Sequence, residues 1–232
     1  MENNHKLKIT IITVCFNSEK TIEETIKSVL SQTYNNYEYL IIDGSSKDKT
    51  LDIIKKYEPL FEGKMKPISE PDNGLYDAMN KGIKLATGDI IGIINSDDIL
   101  INSNIFNRIV INYKKDTDVL YGNLIYCNET LKTPIRDYIS GKKDSLTWCP
   151  AHPTMYIRKE VFNKIGYYDL SFKMCADYDF MVRLNKNNFK FQYLDEYKHG
   201  EGNGHINKFV YADDAAIQKK RKYYLSKRYK AY

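Results

Sequence analysis

The feature that most constrains the fold of this chain is a regular alternation, over residues 7–100, of short apolar runs with segments of helical spacing. Residues 7–14 and 37–43 are rich in β-branched and aromatic side chains, which are typical of buried strands. Between them, residues 18–32 carry apolar side chains at helical spacing. Two strands joined by a helix form a βαβ unit, so these strands are predicted to be parallel.

The same pattern recurs up to residue 100. Helices are predicted over 48–57 and 76–86, and strands over 66–69 and 90–94. Four strands with intervening helices predict the parallel half of a doubly wound α/β sheet. The rhythm then loosens, and the elements that follow predict a mixed second half: helices over 103–113, 158–165 and 177–185, and strands over 119–126, 134–139 and 189–194.

Composition narrows the class of protein. A chain of 232 residues, 42% of them hydrophobic, can bury a substantial core. Because no run of 18 apolar residues and no apolar stretch after the first charges is present, we expect a cytoplasmic protein without a spanning helix or secretory signal. Four scattered cysteines predict neither disulfides nor a zinc knuckle, and a net charge of only +5 argues against a nucleic-acid partner.

Two adjacent carboxylates follow the predicted strand 90–94. Ligands of open α/β sheets bind at the carboxyl ends of the strands, so Asp97 and Asp98 are expected to face a cleft. Carboxylate oxygens are hard ligands, which indicates a divalent cation, Mn²⁺ or Mg²⁺, held by these two residues. The alternative for Asp98 is a cap on the following helix.

Two further polar loops follow neighbouring strands, one ending at Asn17 and one beginning at Asp43. Both can line the same cleft. The chain contains neither the Gly-x-Gly-x-x-Gly motif of dinucleotide folds nor the phosphate-binding loop Gly-x-x-x-x-Gly-Lys-Ser/Thr. A bound diphosphate would therefore depend on a metal ion.

Together with Gly74-Leu-Tyr-Asp-Ala-Met-Asn-Lys-Gly82, Asn95-Ser-Asp-Asp98 and Ala176-Asp-Tyr-Asp179, these loops resemble glycosyltransferase family 2. The resemblance spans roughly residues 7 to 195. The members of the family that this chain resembles are bacterial capsule, lipopolysaccharide and O-antigen sugar transferases. The resemblance implies the GT-A fold, a doubly wound, Rossmann-like mixed α/β sheet. It also implies one domain over residues 1–205, in which 7–100 bind a nucleotide-sugar and 101–205 supply the acceptor side and catalytic base.

The resemblance also implies donor-binding residues. Many members have Asp-Asp-Gly-Ser at the second strand, whereas this chain keeps only Asp43 before Gly44, and loop capping is the alternative role for Asp43. Asp77 and Lys81 lie in the first turns of a predicted helix, where backbone N–H groups favour phosphates. The alternative is that both belong to a solvated helix face. The implied nucleotide-sugar contacts are Val14, Phe16, Asn17, Asp43, Asp77, Lys81, Asn95, Ser96 and Asp97, with Asn95 in place of the first Asp of the family's Asp-x-Asp signature.

On the acceptor side, Asp177 matches the family's catalytic base, with Ala176 in place of the preceding Glu. A carboxylate there can take the proton of an acceptor hydroxyl. His152, Asp179 and His199 are the other acceptor-side candidates; capping is the alternative for Asp179, and a hydrogen-bonded structural role is the alternative for the histidines.

Basic and aromatic side chains alternate over the last segment, 206–232, which we expect to form a helix. Such a helix can bind an anionic membrane surface, which would place the protein on the inner face of the membrane and suit a lipid-linked acceptor. The alternative is a basic helix packed on the domain.

The predicted function is inverting, metal-dependent transfer of one sugar from a nucleotide diphosphate sugar, a UDP-sugar, to a hydroxyl of a glycan or lipid-linked glycan. Two alternatives stay open. The departures at Gly44, Asn95 and Ala176 would suit a decayed nucleotide-binding or membrane-associated module. A sugar nucleotidyltransferase uses a similar cleft but has a Gly-rich loop after the first strand, which this chain lacks.

Overall fold

The computed structural model describes residues 7–127, 134–138, 140–141, 148–194 and 208–210. The alternation predicted for residues 7–100 is confirmed. In chain order the elements are β1 (Ile9–Cys15), α1 (Ile22–Leu30), β2 (Tyr37–Asp43), α2 (Thr50–Tyr57), β3 (Met65–Ser69), α3 (Leu75–Leu85), β4 (Ile90–Ile93), β5 (Asp98–Leu100), α4 (Ile105–Asn112), β6 (Val119–Tyr121), β7 (Leu124–Cys127), β8 (Pro134–Tyr138), β9 (Tyr156–Arg158), α5 (Lys159–Ile165), α6 (Ala176–Lys186), β10 (Phe191–Tyr193) and β11 (Lys208–Val210).

Seven strands form the main sheet in the order β10-β6-β9-β4-β1-β2-β3. The strands β3, β2, β1 and β4 are parallel neighbours, as predicted. Only β9 runs antiparallel to its neighbours β4 and β6, which makes the sheet mixed. Cys15 pairs with Asp43 at the ends of β1 and β2, so the loops that follow these strands begin side by side.

Both faces of this sheet are buried, as expected for parallel strands joined by helices. In β1, Ile9 and Ile11 pack on the side of α1 and α2, whereas Ile12 and Val14 pack on the side of α3, α5 and α6. Helix α3 lies close to the sheet at Gly82, where an added Cβ would come within 2.6 Å of the Ile12 side chain. This close packing places the first turn of α3 beside the carboxyl ends of the strands.

The structure departs from the prediction in three places. The strand predicted over 119–126 is divided into β6 and β7, and β7 joins a separate four-stranded sheet in the order β5-β11-β7-β8. The strands β5 and β9 were not predicted, because three residues are too few to show a period of two.

The segment 206–232 was predicted to be helical, and this is wrong for Lys208–Val210. These residues form β11, which pairs with β5 and β7 and so has strand partners on both sides. The rest of that segment and His199 lie outside the described residues. Among the residues described, no helix has the length and apolar character needed to cross a bilayer.

Candidate active site

A cavity of about 1060 Å³ opens at the carboxyl edge of the main sheet. The loops after β1, β2 and β4 form its walls together with the first turn of α3, where open α/β sheets bind their ligands. Six predicted donor-side residues line the cavity: Val14, Phe16, Asn17, Asn95, Ser96 and Asp97. Four others do not line it: Asp43, Asp77, Lys81 and Asp98.

The loop after β1 presents an aromatic ring to solvent at the cavity. Val14 is buried, whereas the Phe16 side chain is 60% exposed, and such a ring can stack on a nucleobase. Asn17 has a φ of 49°, in the left-handed region that non-glycine residues rarely adopt. Its N–H donates to Ser46 Oγ at 2.8 Å, and its Oδ1 accepts from the Lys47 N–H at 2.8 Å. These bonds join the loops after β1 and β2.

Asp43 does not reach the cavity, because both carboxylate oxygens are bonded within the protein. The residue is 1% exposed. It accepts hydrogen bonds from the Ser46 N–H and hydroxyl at 3.0 and 2.5 Å, and from the Ser69 hydroxyl at 2.6 Å. Through these bonds Asp43 holds the loop after β2 against the end of β3, which agrees with the loop-capping alternative.

Asp72 lines the cavity where a side chain at Gly44 would otherwise lie. A Cβ added to Gly44 would be 2.5 Å from Asp72 Oδ2. Asp72 Oδ1 accepts from the Gly74 N–H at 2.8 Å, and Oδ2 has no hydrogen-bond partner among the described residues. Asp72 was not predicted from the sequence, although its place just after β3 was an available signal.

Asp77 and Lys81 stabilise the turn before α3 instead of facing the cavity. Asp77 Oδ2 accepts from the Asn73 N–H at 3.0 Å. The Lys81 ammonium donates to the Pro71 carbonyl at 2.7 Å and pairs with Glu70 at 2.9 Å. Both predicted donor contacts are thus used within the protein, and they support the wall of the cavity from outside.

The turn after β4 separates Asp97 from Asp98. Asp98 is 0% exposed, begins β5 instead of capping a helix, and accepts from the Asn95 N–H at 3.2 Å. It closes the turn through this bond, and its role as a metal ligand stays a prediction. Asp97 lines the cavity beside Ser96, whose hydroxyl lies 2.9 Å from that of Ser18 in the loop after β1.

A divalent cation at this turn would find two oxygen donors. Asp97 offers a carboxylate to the cavity, and Asn95 Oδ1 is buried without a hydrogen-bond partner in the described ranges. No group of three or more His, Cys, Asp or Glu side chains in those ranges could hold a metal alone. Because Mg²⁺ is usually held by one or two carboxylates together with substrate phosphates, this donor set fits a cation that is completed by a bound diphosphate.

Asp177 lies in the first turn of α6, after a residue with strained backbone: Cys175 has a φ of 71°. Asp177 Oδ1 accepts a 2.7 Å hydrogen bond from the hydroxyl of Tyr76 in α3. Asp177 is not itself among the residues that line the cavity, but this bond ties it to the helix whose first turn does. Tyr76 was not predicted as a site residue, because it and Asp177 are 101 positions apart in the sequence.

The other acceptor-side candidates are held within the protein. Asp179 is 1% exposed and pairs with Arg183 at 2.8 Å, which agrees with a structural role. His152 Nε2 lies 2.7 Å from the buried Tyr168 hydroxyl, and the two rings meet edge to face. His152 is therefore held in the aromatic cluster next to α6.

Comparison with solved structures shows which fold the chain has. The mannosyltransferase PcManGT of Pyrobaculum calidifontis, solved with GDP-Man and Mn²⁺, has a TM-score of 0.70 at 13% identity over 94% of this chain and 61% of that chain. Staphylococcus aureus TarS 1-349 with UDP-GlcNAc has a TM-score of 0.64 at 23% identity over 86% and 60%. The fold is thus the predicted GT-A glycosyltransferase fold, and this chain spans about three-fifths of the length of those solved chains.

The chain belongs to glycosyl transferase family 2, whose sequence profile matches residues 10–177. A PGL/p-HBAD biosynthesis glycosyltransferase of Mycobacterium tuberculosis is 28% identical over 180 residues, which are 77% of this chain and 70% of that protein. An uncharacterised glycosyltransferase of the same species is 31% identical over 185 residues, 75% of this chain and 68% of that protein. This membership classes the protein as a transferase, and the resemblance noted in the sequence is confirmed.

Proposed function

We propose that this protein transfers one sugar, with inversion at the anomeric carbon, from a nucleotide diphosphate sugar to a hydroxyl of a glycan or lipid-linked glycan. The observation that carries the proposal is the placement of two carboxylates. Asp97 lines the cavity at the carboxyl edge of the sheet, and Asp177 is hydrogen-bonded to the helix that begins at that cavity. One suits the diphosphate end of the donor, and the other suits the attacking hydroxyl.

The donor is proposed to lie along the loops after β1, β2 and β4. Phe16 offers an exposed ring to the base, and the free oxygen of Asp72 faces the same end of the cavity. A UDP-sugar is our first choice of donor. The solved TarS structure with UDP-GlcNAc supports this choice, and PcManGT with GDP-Man makes a guanosine donor the second.

In the proposed reaction, the oxygen of the acceptor hydroxyl attacks the anomeric carbon, and its proton passes to the Asp177 carboxylate. The bond from that carbon to the phosphate oxygen breaks, and its electron pair leaves with the nucleoside diphosphate. General-base assistance contributes about 10²- to 10⁴-fold to the rate. Asp97 and Asn95 would hold a Mn²⁺ or Mg²⁺ ion, which supplies positive charge to the departing diphosphate when it is bound.

Thermal unfolding tests the donor site without a known acceptor. The protein is heated with UDP, GDP, dTDP or CMP, each with and without Mn²⁺. A ligand at a hundred times its Kd adds about 2.7 kcal/mol, which raises the Tm of a chain of this size by roughly 5 to 10 °C. We expect one nucleoside diphosphate to raise the Tm only with Mn²⁺.

The matched variants are Asp97→Ala and, as control, Asp116→Ala, which removes an exposed carboxylate that pairs with Lys190 on the surface. Asp97→Ala should lose the ligand-dependent shift, and Asp116→Ala should keep it. A shift that survives in Asp97→Ala would contradict the proposed site. Nucleotide binding without release of UDP from UDP-GlcNAc, or of GDP from GDP-mannose, would favour the decayed nucleotide-binding module.

The membrane partner is proposed separately, because it depends on the segment after Val210. Truncation after Asn207 should abolish co-sedimentation with vesicles that contain anionic lipid. The truncation also removes β11, so retained nucleotide-dependent Tm shifts are the check that the rest of the fold is intact. Equal sedimentation of the full and truncated chains would contradict the membrane hypothesis.

A further inference from the structure

The carboxylate of Asp177 is held from one side by a single side chain. Tyr76, in the first turn of α3, is only 6% exposed, and its hydroxyl donates to Asp177 Oδ1 at 2.7 Å. Among the described residues, no other side chain donates to this carboxylate. Its second oxygen, Oδ2, therefore stays available for a substrate hydroxyl.

The direction of this hydrogen bond is fixed by electrostatics. Burial and the negative charge of Asp177 raise the pKa of the Tyr76 hydroxyl well above its ordinary value. The phenol therefore keeps its proton and donates it to the carboxylate in this hydrogen bond. Tyr76 can orient Asp177, but it does not exchange a proton with it.

The surroundings of Tyr76 keep its ring in place. The ring of Tyr168 lies 5.7 Å away between centroids, and the Asn80 amide of α3 bonds both the N–H and the carbonyl of Tyr168, at 3.0 and 2.8 Å. Two other polar side chains nearby are bonded elsewhere. Tyr168 directs its hydroxyl to His152, and Arg183 directs its guanidinium to Asp179.

We propose that Tyr76 is a positioning residue for the catalytic base. Its hydrogen bond to Oδ1 orients the carboxylate so that Oδ2 meets the attacking hydroxyl at the edge of the cavity lined by Gly74 and Leu75. This rests on the proposed function, in which the hydroxyl proton moves to Asp177 as the new bond to the anomeric carbon forms and the bond to the phosphate breaks. Tyr76 supplies geometry alone.

The chain offers a closely matched control. Tyr57, in α2, is 8% exposed, and its hydroxyl also donates to a carboxylate at 2.7 Å, that of Glu23 in α1. Neither Tyr57 nor Glu23 lines the cavity. Tyr76→Phe and Tyr57→Phe therefore each remove one hydroxyl that donates to a carboxylate, one at the base and one far from it.

The experiment measures release of UDP from UDP-GlcNAc and of GDP from GDP-mannose with Mn²⁺, and water is the acceptor. Misplacement of a catalytic group by about 1 Å can reduce the rate about 100-fold, so Tyr76→Phe should lower kcat roughly 10- to 100-fold. The KM for the donor and the nucleotide-dependent Tm shift should not change, since the donor loops are intact. Tyr57→Phe should keep the wild-type kcat.

Two kinetic results would overturn the inference. Wild-type kcat in Tyr76→Phe, with Asp177→Asn inactive, would remove the positioning role and leave the proposed function standing. Wild-type turnover in Asp177→Asn would instead remove the base itself. A double-mutant cycle on thermal stability gives a readout without turnover: Tyr76→Phe and Asp177→Asn should be non-additive, and additive effects would show that the contact does not form in solution.

Discussion

The donor-side loops and the base-side helix α6 place their carboxylates by different means. Asp43 and Asp48 in the donor-side loops use both oxygens for hydrogen bonds with nearby loop residues, which hold the walls of the cavity. In α6, Asp177 accepts one hydrogen bond, and it comes from a distant helix. The protein uses a carboxylate such as Asp43 for its own loops, whereas a carboxylate with an unbonded oxygen, such as Asp72 or Asp177, can also bind a ligand.

The largest effect is expected on the base side. Asp177→Asn keeps the size of the side chain but removes the proton acceptor, so release of nucleoside diphosphate should fall about 10²- to 10⁴-fold. The nucleotide-dependent Tm shift should stay, because the donor loops are unchanged. Asp116→Asn, on the surface, is the control. Turnover within a factor of two of wild type in Asp177→Asn would show that helix α6 does not supply the base.

The next comparison is between a bonded and an unbonded carboxylate on the donor side. Asp43→Ala leaves Ser46 and Ser69 without their charged partner, and since each such bond is worth about 1.5 to 3 kcal/mol, the free energy of unfolding should fall by about 3 kcal/mol or more. Asp72→Ala removes one hydrogen bond, from the Gly74 N–H, so its free energy of unfolding should fall by about 1 kcal/mol. Denaturant unfolding measures both.

The same two variants should differ in the opposite order in nucleotide affinity, with the larger loss in Asp72→Ala. Asp72→Ala should weaken the binding of the nucleotide that stabilises wild type, measured by titration calorimetry. A loss of stability in Asp72→Ala as large as that in Asp43→Ala would contradict the distinction between bonded and unbonded carboxylates.

Glu38 extends the comparison to the start of β2, at the opposite edge of the sheet. Burial raises its pKa, but hydrogen bonds from Thr10 and Thr87 and the charge of Lys8 outweigh burial and lower the pKa to about 2. Because the folded pKa lies below the unfolded value of 4.5, this stabilisation is complete above about pH 4.5 and is lost as the pH falls towards 2. Its size is up to about 3 kcal/mol.

The measurement is the free energy of unfolding against pH for wild type and Glu38→Gln, whose curve should be flatter between pH 4.5 and 2. Glu23→Gln is the control, because Glu23 also has a pKa of about 2 but is exposed to solvent, which screens its pairing with Lys56. If both substitutions flattened the pH dependence of the unfolding free energy equally, burial of the carboxylate would not determine how much it contributes to stability.

The smallest effect is expected at Gly44. In Gly44→Ala, the new Cβ would lie 2.5 Å from Asp72 Oδ2, so the carboxylate must move while the fold stays intact. We expect a change in unfolding free energy below about 1 kcal/mol. In the otherwise wild-type protein, Gly44→Ala should lower the nucleotide affinity a few-fold. In the Asp72→Ala background, the same substitution should not change the affinity. A further loss in that background would mean that Gly44 acts without Asp72.

The parallel half could be predicted from the sequence because its strands and helices are long enough to show a period. The strands β1 to β4 and the helices between them lie within a few residues of their predicted bounds. The three-residue strands β5 and β9 could not be found in this way. Nor could the division of β6 from β7, which depends on the pairing of β7 with β8 and β11 in a second sheet.

The candidate site shows the same limit. The sequence placed Asp97 at the end of a strand, and it lines the cavity there. It could not separate Asp97 from Asp98, because adjacent residues at a turn differ only in the direction of their side chains. Asp43, Asp77 and Lys81 also lie near strand or helix ends, but their charges are bonded to nearby groups.

The sequence by itself therefore determined the family, the parallel half of the sheet and the edge at which the cavity opens, because these follow from local periodicity and from motifs in order along the chain. Tertiary structure alone decided which carboxylate oxygens stay unbonded, and it brought Tyr76 to Asp177 and Asp72 to Gly44. These hydrogen bonds depend on the distance and direction between groups that are far apart in sequence. No residue pattern within either segment indicates that the two groups come into contact.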